Sequence, residues 1–325
     1  MASFDEVLKD CTKLGTKIQT SEYLKNGTYP IIDQGQDNIA GYFDTENGLF
    51  KDVPAIVFGD HTRIVKYIDK PCFLGADGVK LLCPVSKNTN CKYLFYQLAH
   101  ADIPNTGYNR HFKWVKALEF KIPSLEEQNH IVNVLDKIST LITFRKQQLA
   151  KLDELVKARF VEMFGNKDDP RMKWNDVFNT TTGKLDSNAA VANGKYPFFT
   201  CSKEPLKIDS YAFDQTALLL TGNNAAGKYD VKYYQGKFNA YQRTYVLSLK
   251  HNWSYKLFQY QLEDKLLYLQ TKSLGGLTKY LTLKILGELD FIVPPLALQN
   301  GFAAFVEHVD EQKQRLYSRA LKSWN

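Results

Sequence analysis

Apolar residues at Ile131, Leu135, Ile138, Ile142, Leu149, Leu152 and Val156 recur at helical spacing. With Arg145, Arg159 and Met163 filling the remaining places, the steps alternate four and three, which is a heptad seam. A second stripe, Phe302, Val306, Val309, Leu316 and Ala320, follows near the other end of the chain. In the shared register Lys313 and Leu316 take the places of Ile142 and Arg145. Neither helix therefore reads as an all-apolar zipper. Each is expected to lie against the other, with mismatched positions fixing the register. An amphipathic helix packed on its own domain would carry a similar stripe. About forty residues at 1.5 Å per residue would span about 60 Å, which favours a spacer.

Ahead of each stripe stands the same opening. Ile122-Pro123-Ser124-Leu125-Glu126-Glu127-Gln128-Asn129 is answered by Val293-Pro294-Pro295-Leu296-Ala297-Leu298-Gln299-Asn300. The repeat extends back through the strand-like segments, and a repeat of this length fixes the architecture. Phe4-Asp5-Glu6-Val7-Leu8 is matched by Trp174-Asn175-Asp176-Val177-Phe178, and the turn Asn26-Gly27-Thr28-Tyr29-Pro30 by Asn193-Gly194-Lys195-Tyr196-Pro197. Ala55-Ile56-Val57-Phe58 reads as a buried strand, as does Ala217-Leu218-Leu219-Leu220. Residues 64–68 and 79–83 are further strand candidates. A helix over 93–101 has its counterpart at 257–262. The predicted fold is α/β (α+β), with globular domains at 1–121 and 167–292 and long helices at 122–166 and 293–325. Residues 165–173 form a polar connector with a helix-stopping Gly165 and Pro170. The frame agrees between the copies while the loops diverge, so two recognition surfaces with different targets are expected.

Composition narrows the class. The 325 residues suffice for two cores, and no run approaches eighteen apolar residues. Met-Ala-Ser-Phe-Asp-Glu lacks the shape of a signal peptide, and five scattered cysteines without a CxxC pair suit a reduced cytoplasmic protein without structural zinc. Residues 1–166 hold 21 Lys and Arg against 20 Asp and Glu. Of the totals of 42 and 35, the remainder holds 21 against 15, so the net charge of +7 lies almost wholly in the second half. A positive excess fits a polyanionic partner.

Catalytic patterns are weak. Gly222-Asn223-Asn224-Ala225-Ala226-Gly227-Lys228 has the spacing of a phosphate-cradling loop. However, Tyr229 stands where the hydroxyl for Mg²⁺ is needed, and the residues after it read as a strand. The six histidines lack metal spacing. Gly59-Asp60-His61 has no accompanying nucleophile elbow, and no cofactor fingerprint follows a strand. No metal, cofactor or catalytic residue is expected in this chain. Binding chemistry is better represented, by loop cations beside aromatics, Asn and Gln. The candidates are His61, Arg63, Tyr108, Asn109, Arg110, His111 and Lys113 in the first domain. In the second they are Lys203, Asn223, Asn224, Lys228, Tyr241, Gln242, Arg243 and Lys279. Arg and Lys suit guanine O6 and N7, and Asn and Gln suit adenine N6 and N7.

Taken together, the twofold layout, the two Pro-x-Leu-x-x-Gln helix openings, the Asn-Gly-x-Tyr-Pro turns, Gly59-Asp60-His61-Thr62-Arg63 and Gly75-Ala76-Asp77-Gly78-Val79-Lys80 resemble the DNA-specificity subunit of type I restriction–modification systems. The resemblance implies two target recognition domains related by a pseudo-twofold repeat. Each would read half of a split double-stranded DNA site, and two antiparallel coiled-coil helices would hold them apart. It implies partners as well: two methyltransferase subunits and restriction/translocase subunits, which would carry the S-adenosylmethionine, ATP and Mg. The helix openings, at Leu125, Glu126, Gln128, Leu296 and Gln299, are then the expected partner-docking residues. The chain departs from the pattern where Ala297-Leu298 replaces the acids Glu126-Glu127, and where the second helix is shorter than the first. A two-headed protein-binding adaptor with a coiled-coil oligomerisation module is the competing expectation.

Overall fold

The structure is a computed structural model. It describes residues 1–75, 77–165, 169–225 and 227–322, with the backbone only for 319–322. The middle of the expected connector, Ala76, Ala226 and the last three residues of the expected second helix lie outside the described residues. Two compact units divide the chain, Met1–Phe144 and Arg145–Asn325.

The first unit runs β1 (Ala2–Ser3), α1 (Phe4–Val7), β2 (Leu8–Asp10), β3 (Tyr29–Ile32), β4 (Gly41–Phe43), β5 (Ala55–Gly59), β6 (Val65–Ile68), β7 (Phe73–Leu74), β8 (Val79–Pro84), α2 (Cys91–Ala99), α3 (Phe112–Lys116), β9 (Glu119–Phe120) and the first part of α4 (Leu125–Phe164). One sheet has the order β2-β8-β5-β6 and a second the order β4-β3-β7. The apolar run of β5 is buried on both faces: Ile56 and Phe58 meet Leu82, Leu94 and Phe112, while Ala55 and Val57 meet Leu74 and Leu81. Asn90 caps α2, its side-chain oxygen accepting the backbone N–H of Lys92 and Tyr93 at 2.8 and 3.1 Å.

The second unit begins within α4. It continues through β10 (Arg171–Lys173), α5 (Trp174–Val177), β11 (Phe178–Thr182), β12 (Tyr196–Phe199), β13 (Leu206–Ile208), β14 (Phe213–Thr221), β15 (Asn223–Asn224), β16 (Val231–Ala240), β17 (Thr244–Leu249), α6 (Tyr255–Asp264), α7 (Leu266–Lys272), β18 (Lys279–Tyr280), α8 (Leu283–Gly287), β19 (Asp290–Ile292) and α9 (Leu296–Lys322). Here one six-stranded sheet, β11-β17-β14-β16-β12-β13, does the work of two. β16 pairs along β14 from Val231 to Phe238 and then joins β12 in parallel. In the first unit the corresponding strand is cut between β6 and β7, where Pro71 stands, and Pro54 stands at the facing position just before β5. Proline has no N–H for the ladder, so the sheet splits there.

Both units fasten their helices with buried glutamines. The Gln128 side-chain oxygen accepts the N–H of Asn90 at 2.9 Å, and its amide donates to the Pro123 carbonyl at 2.9 Å. Gln299 repeats this with Ser254 at 3.0 Å and Pro294 at 2.7 Å. At 1 % and 0 % exposure neither side chain can meet a partner. The glutamine of the repeated opening is a staple, which corrects the expectation that Gln128 and Gln299 are docking residues. Leu125, Glu126 and Leu296 are exposed. A second pair acts the same way. Gln97 exchanges two hydrogen bonds with the backbone of Lys121, and Gln261 two with that of Ile292.

The first part of α4 is anchored by Asp136, which accepts from Lys92 at 2.8 Å and from the Tyr96 hydroxyl at 2.6 Å. Farther along, Ile138, Leu141, Ile142 and Phe144 are exposed. Within the second unit, Val156 and Phe164 pack with Phe302, Val306 and Val309, joined by Phe160 and Tyr260. Phe160 and Phe164 reach Phe302 while Asp153 reaches Lys313 at 2.5 Å, so α4 and α9 run antiparallel there. Lys313, a charged seam position, is answered by an acid.

Candidate nucleic-acid interface

In the first unit, segments far apart in sequence meet at the end of β5. The turn 59–63 accepts the loop 104–111. The Asp60 carbonyl takes the N–H of His111 at 2.8 Å, and the Asp60 carboxylate takes that of Phe112 at 2.7 Å. His111, wholly buried, donates from Nδ1 to the same Asp60 carbonyl at 2.9 Å. Its Nε2 accepts the Thr106 N–H at 3.4 Å, so the geometry selects the Nδ1–H tautomer. Arg63 adopts a left-handed backbone, φ 62°, and extends its guanidinium to the Ile103 carbonyl at 3.0 Å. A non-glycine residue held in that region is strained and needs such support.

Above this base lies the exposed layer. Tyr108, 89 % exposed, stacks on His61 with centroids 4.8 Å apart and planes 9° apart. His61 Nδ1 donates to the Asn109 carbonyl at 3.2 Å, and the Asn109 amide donates to the Thr106 carbonyl. Arg110 and Lys113 point outward. Of the seven candidates, six therefore form one surface and its struts. His111 is corrected to an internal support, because no DNA atom can reach it in this arrangement.

The second unit builds the equivalent end of its sheet from different residues. β15 pairs with β18, Asn223 opposite Tyr280 and Asn224 opposite Lys279. Leu281 donates its N–H to the Gly222 carbonyl at 2.8 Å, and Gly222 donates to the Arg243 carbonyl at 2.7 Å. Cys201 brings the 200–204 loop in, its thiol donating to Asn223 Oδ1 at 2.8 Å. The Tyr245 hydroxyl, whose pKa burial pushes up, donates to the Leu281 carbonyl at 3.0 Å. Lys203, Lys228, Gln242 and Arg243 are exposed, while Asn223, Asn224, Tyr241 and Lys279 are half-buried. Gln242 is tied to Asp186 at 3.3 Å. All eight candidates stand on four neighbouring segments.

The hydrogen bonds align the two clusters residue by residue. Asp60 N–H donates to Gly78 as Gly222 N–H donates to Arg243, and His111 meets Asp60 as Leu281 meets Gly222. Sequence reading missed Asp60 as a support. It missed Gln34 as well, which accepts the His61 N–H at 3.1 Å and donates to Asp77 at 3.1 Å. Gln34 stands in a loop, 33–38, made entirely of Asp, Gln, Gly and Asn, and that composition directly after a strand was the available signal. Among the described residues no group of His, Cys, Asp and Glu could hold a metal ion, and no helix is long and apolar enough to cross a membrane.

Known proteins share this frame. A stretch of 72 residues is 54% identical to the type I restriction enzyme EcoDI specificity subunit of Escherichia coli, covering 22% of this chain and 16% of that protein. Another of 137 residues is 26% identical to the EcoR124I/EcoR124II specificity subunit of Escherichia coli, covering 38% and 34%. The chain thus aligns with about a third or less of these curated relatives. The crystal structure of the type I restriction–modification S subunit from M. genitalium has the same fold, with TM-score 0.60 over 98% of this chain and 90% of that one at 18% identity. The model of the type I restriction modification DNA specificity domain matches residues 5–154 and again 168–321, and the chain belongs to that family.

Proposed function

We propose that this chain is the DNA-recognition subunit of a type I restriction–modification complex, each unit reading one half of a bipartite site. The observation that supports it most is the convergence of loop cations, Asn and Gln at the same end of both repeated sheets. His61, Arg110 and Lys113 gather in one unit, and Asn223, Lys228 and Arg243 in the other. The frame is shared and the loops are not, as expected of two readers of different sequences. In this reading the chain is not itself an enzyme. Methyltransferase subunits would dock on the helices, beginning at Leu125, Glu126 and Leu296. They and the restriction/translocase subunits would bring the S-adenosylmethionine, ATP and Mg, and the complex would act on DNA in the cytoplasm. The domain limits 1–121 and 167–292 are the proposed reading heads, with 122–166 and 293–325 as the proposed spacer.

Methylome sequencing of cells carrying this chain with its methyltransferase tests the reading. A split motif that disappears when the chain is removed is the expected result. An unchanged methylome would refute it. Lengthening α4 by a few residues should change the spacer between the half-sites, and an unchanged spacer would refute the ruler role of the helix.

A further inference from the structure

The second cluster carries a projection that its scaffold does not use. Ser273 to Tyr280 form a small hairpin closed by Leu274 and Tyr280, which exchange backbone hydrogen bonds at 3.0 and 2.9 Å. Gly275, with φ +99°, turns the tip, and a Cβ there would stand 2.2 Å from the Thr278 carbonyl, so the turn admits only glycine. Two residues beyond it, after Gly276, Leu277 is 96 % exposed. A single exposed leucine is ordinary. This one is held at a tip built to extend it, with Lys279 two residues on and exposed Lys228 and Arg243 in the same cluster.

The first unit repeats the device with unrelated residues. Gly107, φ +78°, precedes Tyr108, which stands three residues before His111. Leu277 stands four residues before Leu281, the counterpart of His111. Two loops without sequence similarity thus each place one large apolar side chain after a left-handed glycine, beside cations, at nearly the same step of the frame. Burial in a core cannot be the reason, because Leu277 is open to solvent and Tyr108, with the His61 ring on one face, stays exposed.

We infer that Leu277 and Tyr108 are wedges, each entering a base step of the half-site its unit reads and partly unstacking it. Apolar wedges beside phosphate-binding cations open DNA in this way, and the opened duplex gains contact with the protein. Tyr108 is preformed by its stack on His61. Leu277 has no such backing and relies on the rigidity of its turn. The inference rests on the DNA-reading function proposed above.

The test uses the full chain with its methyltransferase subunits and duplexes carrying the methylome-defined site. 2-Aminopurine is walked through the second half-site, leaving aside the methylated base, which the methyltransferase itself would extrude. The wild type should raise fluorescence at one step. Leu277→Ala should abolish that rise and weaken binding on the order of tenfold, with the methylation motif unchanged. Leu277→Met should restore both. Tyr108→Ala and Tyr108→Phe should behave likewise in the first half-site. Sequence-specific binding without any such rise, or a rise that survives Leu277→Ala, overturns the wedge and leaves the DNA-reading function standing. Absence of sequence-specific binding by the wild type overturns both.

Discussion

The loop before α3 and the loop before α8 solve one problem by opposite means. In the first unit the loop is held by side chains: a buried imidazole, a buried carboxylate and a strained arginine. In the second, backbone does most of the holding, helped by the Tyr245 hydroxyl on the Leu281 carbonyl. β15 and β18 form a ladder, and the position of Asp60 is taken by Gly222, which has no side chain to offer. A recognition loop needs fixed ends far more than it needs any particular fixing chemistry, so the frame can stay while the fastening changes. The difference also says where substitutions will be felt, since a side-chain fastening can be removed by one mutation and a ladder cannot.

The frame itself should give the largest effect. Gln261→Ala strips partners from the buried N–H and C=O of Ile292 and should cost the second unit roughly 4 kcal/mol, at about 1–3 kcal/mol per orphaned group. Gln97→Ala exposes the equivalent groups of Lys121 near solvent, where water replaces the amide, and should cost about 1 kcal/mol. Urea unfolding of each variant measures this, and equal losses would break the distinction between the units. Next in size, His111→Ala should cost about 2–3 kcal/mol, read as lost amide protection at Thr106 and Phe112, with the second unit untouched. Protection kept in the first loop would mean that its backbone suffices, as in the second. Arg110→Ala or Arg243→Ala should relax one half-site by about 2 kcal/mol. A uniform loss over all sequences would mark them as phosphate contacts instead.

The smallest effect is a pH dependence. Burial raises the pKa of Asp136, but hydrogen bonds from Lys92 and Tyr96 and the lysine charge outweigh it and hold the carboxyl below its ordinary value. A depressed folded pKa means stability that is complete above the unfolded value of about 3.9 and is lost as pH falls through the folded one. The group is half-exposed, so Asp136→Asn should remove only about half a kcal/mol of this acid-limb dependence. Stability of the first unit from pH 6 to pH 2.5 measures it. An acid limb as steep as in the wild type would show that Asp136 plays no part.

Much of this was legible beforehand. Period-3.6 stripes and buried apolar runs specify helices and strands locally, and the doubled Pro-x-Leu-x-x-Gln opening announced the repeat. The helices fall at Leu125–Phe164 and Leu296–Lys322, and the strand expected at 55–58 at Ala55–Gly59. Misjudgements arose where one residue type serves two ends. Gln128, Gln299 and His111 looked like surface chemistry because polar side chains usually are, yet each is buried and saturated by backbone groups. Nothing in a linear pattern tells a staple from a contact, because the partner carbonyl or N–H lies dozens of residues away.

What the chain determines by itself is periodicity, turn chemistry and duplication, since those depend on neighbours three or four positions apart and on self-comparison. Tertiary structure alone decided that Gln34, Asp60, His61 and the 104–111 loop form one cluster, and that Leu277 stands clear at the tip of another. Burial and juxtaposition are set by which strands become neighbours. That ordering is a property of the whole core, which no local stretch of sequence contains.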